Sequence, residues 1–138
     1  MKARIASPVM AIAIGLVAVA SGQVADTALP AAVARKLGAS AGDTRALCWM
    51  DCASIARRDL RAYCEGRCPA IRHGDARAAC SADCGSIADG DLRAICAGHC
   101  NQVGDHDLRA TCNGDCDAVR DPALRAFCAR DCAAIGTR

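Results

Sequence analysis

With 138 residues, twelve cysteines and one residue each of Trp, Tyr and Phe, the chain cannot assemble a large aromatic core and needs covalent or metal staples to hold a fold. Its formal net charge is +2, and two of its basic residues, Lys2 and Arg4, fall in a segment expected to be removed, which leaves the remainder near neutral. That excludes the basic face of a nucleic-acid binder and the polybasic surface of a membrane-adsorbed protein.

Met1-Lys2-Ala3-Arg4 is basic, and Ile5 to Ala20 is apolar apart from Ser7, Pro8 and Gly15. Small residues follow at Ala18-Val19-Ala20 and Ser21-Gly22. This is the pattern of a secretory signal peptide cut after Ala20 or Gly22. The apolar run, about 16 residues, is shorter than the ~20 of a spanning helix, so no stable membrane span is expected after cleavage. The expected layout is a signal peptide over 1–22, an Ala-rich linker or short helix over 23–42, and a repeat domain over 43–138. In the middle segment Leu29, Val33 and Leu37 fit one short amphipathic helix, although linker is the preferred reading.

The cysteines stand at 48/52, 64/68, 80/84, 96/100, 112/116 and 128/132, six i, i+4 pairs repeating every 16 residues without slippage, which marks tandem repetition. Three residues before each first Cys is Arg: Arg45, Arg61, Arg77, Arg93, Arg109 and Arg125. Two before it is Ala, and seven after it is an aliphatic: Ile55, Ile71, Ile87, Val103, Val119 and Ile135. On a helix, Leu60, Cys64, Cys68 and Ile71 fall within an arc of about 80°, whereas a strand would split them between two faces. Asp43, Asp59, Asp75, Asp91 and Asp107 precede the periodic run and fit helix N-caps, with Asp121-Pro122 in the last copy. The prediction is an all-α protein of six short helices, about 11–13 residues each, joined by turns of three or four. Gly66, Ala82, Gly98 and Gly114, on the helix face away from the cysteines, fit close approach of a neighbouring helix.

Twelve cysteines in a short exported chain indicate a disulfide scaffold in a secreted or periplasmic setting. If successive helices form antiparallel hairpins, Cys52 and Cys64 lie at equal heights, as do Cys48 and Cys68. Three stapled hairpins follow, with Cys48–Cys68 and Cys52–Cys64, Cys80–Cys100 and Cys84–Cys96, Cys112–Cys132 and Cys116–Cys128. The equal gaps also allow a shifted scheme, which would strand the cysteines of the two end helices. The Arg column reads as a solvated edge whose methylenes cover the disulfides, or as a ladder of cations offered to an acidic partner.

Cys48-Trp49-Met50-Asp51-Cys52 followed by Cys64-Glu65-Gly66-Arg67-Cys68 resembles the α-hairpinin scaffold, a secreted helix-loop-helix with nested disulfides. That resemblance implies a stapled hairpin geometry and, as a third functional reading, a secreted inhibitor or toxin. The same Cys-x3-Cys pairs resemble those of bacterial copper-storage proteins, which implies thiolate binding of Cu(I), or of Zn(II) by four thiolates of one hairpin.

No Cys-x-x-Cys redox pair, Cys-x-x-Cys-His haem site, Ser-His-acid trio or Gly-rich phosphate loop is present. His73, His99 and His106 share no repeat position, and His99 beside Cys100 is the one pairing that could lower a thiol pKa. Arg57-Arg58 fits the specificity of a trypsin-like protease, as substrate or inhibitor loop. The sequence thus points to a non-enzymatic, exported structural or interaction module that needs no cofactor and acts on a protein or envelope partner. Periplasmic or extracellular metal binding by the same cysteines is the alternative.

Overall fold

Every copy of the repeat folds the same way, and the reason is a change of backbone direction between its two cysteines. In a computed structural model, which describes residues 22–136 with side chains from Thr27 onward, seven α-helices are formed and no strand occurs among the described residues. They are α1 (Gly22–Lys36), α2 (Ala41–Cys48), α3 (Arg58–Cys64), α4 (Gly74–Cys80), α5 (Gly90–Cys96), α6 (His106–Asn113) and α7 (Pro122–Cys128). The expected signal segment lies outside the described residues except for Gly22, where α1 begins.

The repeat helices have 7 or 8 residues, not 11–13. Each stops at or just after its first Cys because the second residue beyond that Cys is left-handed: Met50, Gly66, Ala82, Gly98, Gly114 and Arg130 have φ of 57°, 70°, 56°, 76°, 74° and 58°. In α3 the Gly66 N–H donates to the Tyr63 carbonyl at 3.1 Å and the Arg67 N–H to the Ala62 carbonyl at 2.9 Å, the paired bonds of a Schellman stop. The other five copies close in the same way. The small residues of this column therefore serve the turn and not a helix contact: a Cβ on Gly66 or Gly98 would meet nothing within 4 Å. The three copies without Gly carry the strain of an L-residue in that region, about 1 kcal/mol each. Met50→Gly, Ala82→Gly and Arg130→Gly should each raise the unfolding free energy by about 0.5–1 kcal/mol in denaturant titrations, and Gly66→Ala should lower it by a similar amount.

After this stop the second Cys opens a short 3-10 turn, at Cys52–Ser54, Cys68–Ala70, Cys84–Ser86, Cys100–Gln102, Cys116–Ala118 and Cys132–Ala134. The turn packs on the helix of the following copy. The two cysteines of one copy thus face different neighbours. Cys52–Cys64, Cys84–Cys96 and Cys116–Cys128 form as expected. The outer pairs Cys48–Cys68, Cys80–Cys100 and Cys112–Cys132 do not. In their place stand Cys68–Cys80, Cys100–Cys112 and Cys48–Cys132. The copies are linked one to the next and not grouped into three nested hairpins.

Cys48–Cys132 joins the last copy to the first across 84 residues, while the other five bonds each span 12. The junction it makes repeats the others. Helix α2 packs on α7 and on the turn Cys132–Ala134, as α3 packs on the turn Cys52–Ser54. The Arg45 Nε donates to the Ile135 carbonyl at 2.7 Å, as the Arg61 Nε donates to the Ile55 carbonyl at 2.7 Å. The six copies close into a ring. Gly136 sits at the seam with φ +76°, and a Cβ there would lie 2.8 Å from the Arg45 guanidinium and 3.0 Å from Ala41, so closure has room for no side chain at that point.

The ring is filled. Helix α1 packs against α2, α4, α5, α6 and α7, and Ala28, Ala31, Ala32, Val33 and Ala34 are buried. At 100° per residue those five positions point all round the helix axis, as in a helix enclosed on every side. The segment is therefore a central helix and not a linker, and its alanines suit a narrow lumen. The lumen wall is built by the residues four and one before each first Cys, including Leu60, Leu92, Leu108, Leu124, Leu47, Ile95 and Phe127, all buried. The aliphatic column, Ile55, Ile71, Ile87, Val103, Val119 and Ile135, is at most 1% exposed and locks copy to copy.

Helix α1 runs opposite to the six ring helices. At its C-terminal end Lys36 reaches Asp89 at 2.7 Å and Arg35 reaches Asp105 at 3.3 Å, and these aspartates cap the N-termini of α5 and α6. At its other end Thr27 and Pro30 lie beside Leu47, Cys48 and Phe127 in the last turns of α2 and α7. The negative end of α1 thus sits among the positive ends of its neighbours.

Candidate functional site

The residues singled out by the sequence are occupied in making the ring. All twelve cysteines are in disulfides, with Cα–Cα distances of 5.4–5.6 Å, within the range a disulfide accepts. Because the two cysteines of a copy serve different neighbours, sulfurs meet in twos. The four-sulfur cluster expected of one hairpin is not assembled, and no group of three or more metal-ligating side chains stands among the described residues.

Five arginines of the repeated column, Arg45, Arg61, Arg77, Arg93 and Arg125, donate to the aliphatic residue's carbonyl in the preceding copy, at 2.7–3.4 Å. Arg109 holds the same place in α6 and is exposed. These contacts knit copy to copy, and sequence reasoning missed them because the acceptor is backbone.

The aspartate column has a different job from the expected N-cap. Asp59 lies within the first turn of α3 and accepts from the N–H groups of Arg72 and His73, at 3.2 and 2.9 Å. Asp75, Asp91 and Asp107 bind the following turns in the same way, and Asp43 accepts from the Ala56 N–H at 2.7 Å. The N-caps are the residues before the helices: Ser40, His73, Asp89, Asp105 and Asp121. Asp121 with Pro122 fills that place as read from the sequence.

At Asp107, Asp59 and Asp89 such bonds favour the charged carboxylate. The Arg120 N–H, the His106 side chain and the Asp121 N–H bring Asp107 down to about 2. At Asp59 burial pushes upward, but the N–H groups of His73 and Arg72 and the charges of Arg58 and Arg72 outweigh it, so its pKa falls below the usual carboxylate range. The hydrogen bond from Lys36 lowers Asp89 likewise and raises Lys36. The stability these aspartates supply is complete above about pH 4 and is lost as the pH falls through their lowered pKa values.

Tyr63, the single tyrosine, is pushed up to about 12 by burial. Folding favours its neutral form, so that part of the stability holds below about pH 10 and fades as the pH rises toward the folded value. A rapid spectrophotometric titration should place the phenol midpoint near 12 in the oxidised protein and near 10 after reduction and denaturation. A native midpoint near 10 would mean that Tyr63 does not line the closed ring.

The chain matches no protein-family model, and no curated protein or solved structure is significantly similar to it.

The residues between the two cysteines of each copy differ from copy to copy and are exposed. The three residues after each first Cys form a tip, and the six tips, 49–51, 65–67, 81–83, 97–99, 113–115 and 129–131, are exposed throughout. Their chemistry varies, from Trp49-Met50-Asp51 to Glu65-Gly66-Arg67 and Ala97-Gly98-His99. Trp49 and Met50 are 62% and 68% exposed, and Met50 borders an apolar notch at the seam beside Pro30, Leu47 and Phe127. The columns that do not vary, Cys, Arg, Ala and the aliphatic, are the ones that build the ring. Six disulfides fit an oxidising, extracellular setting, and no helix among the described residues is long and apolar enough to cross a membrane.

Proposed function

We propose that the mature chain is an exported, non-enzymatic and metal-free interaction module, a disulfide-locked ring that presents variable tips and outer grooves to a protein or envelope partner. The observation that carries this reading is the division of labour within the repeat: invariant columns are spent on the ring, and every varied tip is exposed. Repeat scaffolds work this way, with a fixed framework and a variable surface. Asp43 and Thr111, the buried polar residues among those described, support the same reading, since both are used by nearby backbone. A thiolate metal store fits less well, because reduction of this fold would free sulfurs in separated pairs.

The test is mass measurement and alkylation of protein recovered from outside the cytoplasm. The expected species has lost its N-terminal signal, is lighter than its reduced form by two hydrogens per disulfide, and offers no thiol to alkylation before or after chelation. Thiols that become alkylatable only on chelation would replace this reading with metal storage.

A further inference from the structure

We infer that the outer groove along α3 is a binding site for an acidic peptide segment. This deepens the interaction-module reading and rests on it. The groove is a cleft of about 410 Å³ lined by Arg58, Arg61 and Arg67 together with Ala56, Ala62 and Ala70. Arg58 opens α3, Arg61 stands one turn further on, and Arg67 lies just past its end, so the cations follow a helix about 10 Å long. An extended peptide advances about 3.4 Å per residue, and carboxylates on alternate residues would meet successive arginines.

The charge is particular to this copy. The position of Arg67 is Asp51, Asp83, Asp115 and Asp131 in four other copies and His99 in the fifth. The position of Arg58 is Gly42, Gly74, Gly90, His106 and Pro122. The matching groove along α4 carries Gly74, Asp75, Arg77 and Asp83, a single cation beside two carboxylates. The α3 groove is lined by three arginines and no acid. Two acids stand nearby: Asp59 accepts from the backbone of Arg72 and His73, and Glu65 pairs with Arg67, so Arg58 and Arg61 are the cations left for an incoming carboxylate to pair with first, and a peptide carboxylate at Arg67 competes with Glu65. Arg61 spends its Nε on the Ile55 carbonyl, which fixes the guanidinium against the wall. A nucleic acid is the poorer fit, because a phosphate backbone running past this one groove would meet the aspartates of the neighbouring tips and turns.

The test uses the oxidised full-length protein, a short peptide of alternating Glu and Ser, an oligonucleotide of equal charge, and nuclear magnetic resonance. The peptide should shift resonances around Arg58, Arg61 and Arg67, bind more weakly as salt rises, and lose at least about tenfold in affinity in the double variant Arg58→Gly, Arg67→Asp. That variant copies Gly74 and Asp83 of the next copy, so it should keep all six disulfides and its helical spectrum, which the same sample reports. Absence of binding at millimolar peptide, binding unaltered in the variant, or an oligonucleotide that binds as tightly would overturn the assignment. None of those results touches the mass and alkylation findings, so the groove can fail while the module reading stands.

Discussion

Replacing Cys48 and Cys132 together by serine should cost roughly 4 kcal/mol of unfolding free energy, more than the roughly 3 kcal/mol expected when Cys84 and Cys96 are replaced. The difference follows from what each bond closes. Cys84–Cys96 spans 12 residues and leaves the order of copies intact, whereas Cys48–Cys132 spans 84 and joins the two ends of the array. The five short bonds already shorten the loop that the closing bond constrains, so its share stays below the value for a free loop of that length. Without it the seam is held by the packing of α2 on α7, the Arg45 to Ile135 hydrogen bond and the aliphatic side chain of Ile135. Urea unfolding of the two double variants against the parent measures the difference. An equal or smaller loss for the Cys48 and Cys132 pair would mean that the array behaves as an open row of copies.

The second large effect concerns the lumen. Val33 is fully buried on α1, and Val33→Asp would place a carboxylate there among alanines and the leucines of the wall. An unpaired charge in such a place costs several kcal/mol, about 3–5 by analogy with broken buried pairs. The cheapest escape is for α1 to leave the lumen. Limited proteolysis should then cut within residues 22–36 much faster than in the parent, with the six disulfides still formed. The ion pairs Lys36–Asp89 and Arg35–Asp105 lie at the surface, where solvent screens them, and cannot hold the helix in place. If α1 in the variant resists cleavage as in the parent, it does not occupy the centre.

Much of this architecture is written in the repeat. The period of 16, the helical face, the all-α class and three of the six disulfide pairings follow from residue spacing. The failures have definite causes. Helix length was overestimated because the left-handed stop two residues past each first Cys falls on Gly in only half the copies, with Met50, Ala82 and Arg130 masking it in the rest. Once the helix is read through that point, both cysteines share a face and nested hairpins follow. Ring closure was illegible for another reason. It depends on each copy turning by about 60° relative to the last, and no single residue encodes that angle. A shifted pairing looked wrong because it stranded the end cysteines, and joining the ends removes the objection. Of the two readings of residues 23–42 the short helix forms and the preferred linker does not: α1 is enclosed through alanines all round its axis, which the thin stripe of Leu29, Val33 and Leu37 understates. At the surface, the Arg column reads as a solvated edge or a ladder of cations because its partners are backbone carbonyls, which no residue type announces. The α3 groove was invisible because its arginines are 3 and 6 residues apart and are brought to one cleft only by the stop at Gly66.

The closing bond has a topological consequence. Starting at Cys48, one can travel by backbone to Cys52, across sulfur to Cys64, on to Cys68 and so around to Cys132 and back to Cys48. This hoop bypasses every arc of chain between one copy and the next. A protease that nicks the exposed Arg57-Arg58 turn severs an arc and not the hoop. The cut molecule gains one water and sheds no fragment, and the same holds after a cut in each of the other arcs. Outside the cell, where peptidases are many and resynthesis is slow, such a protein can be cleaved repeatedly and still be one molecule.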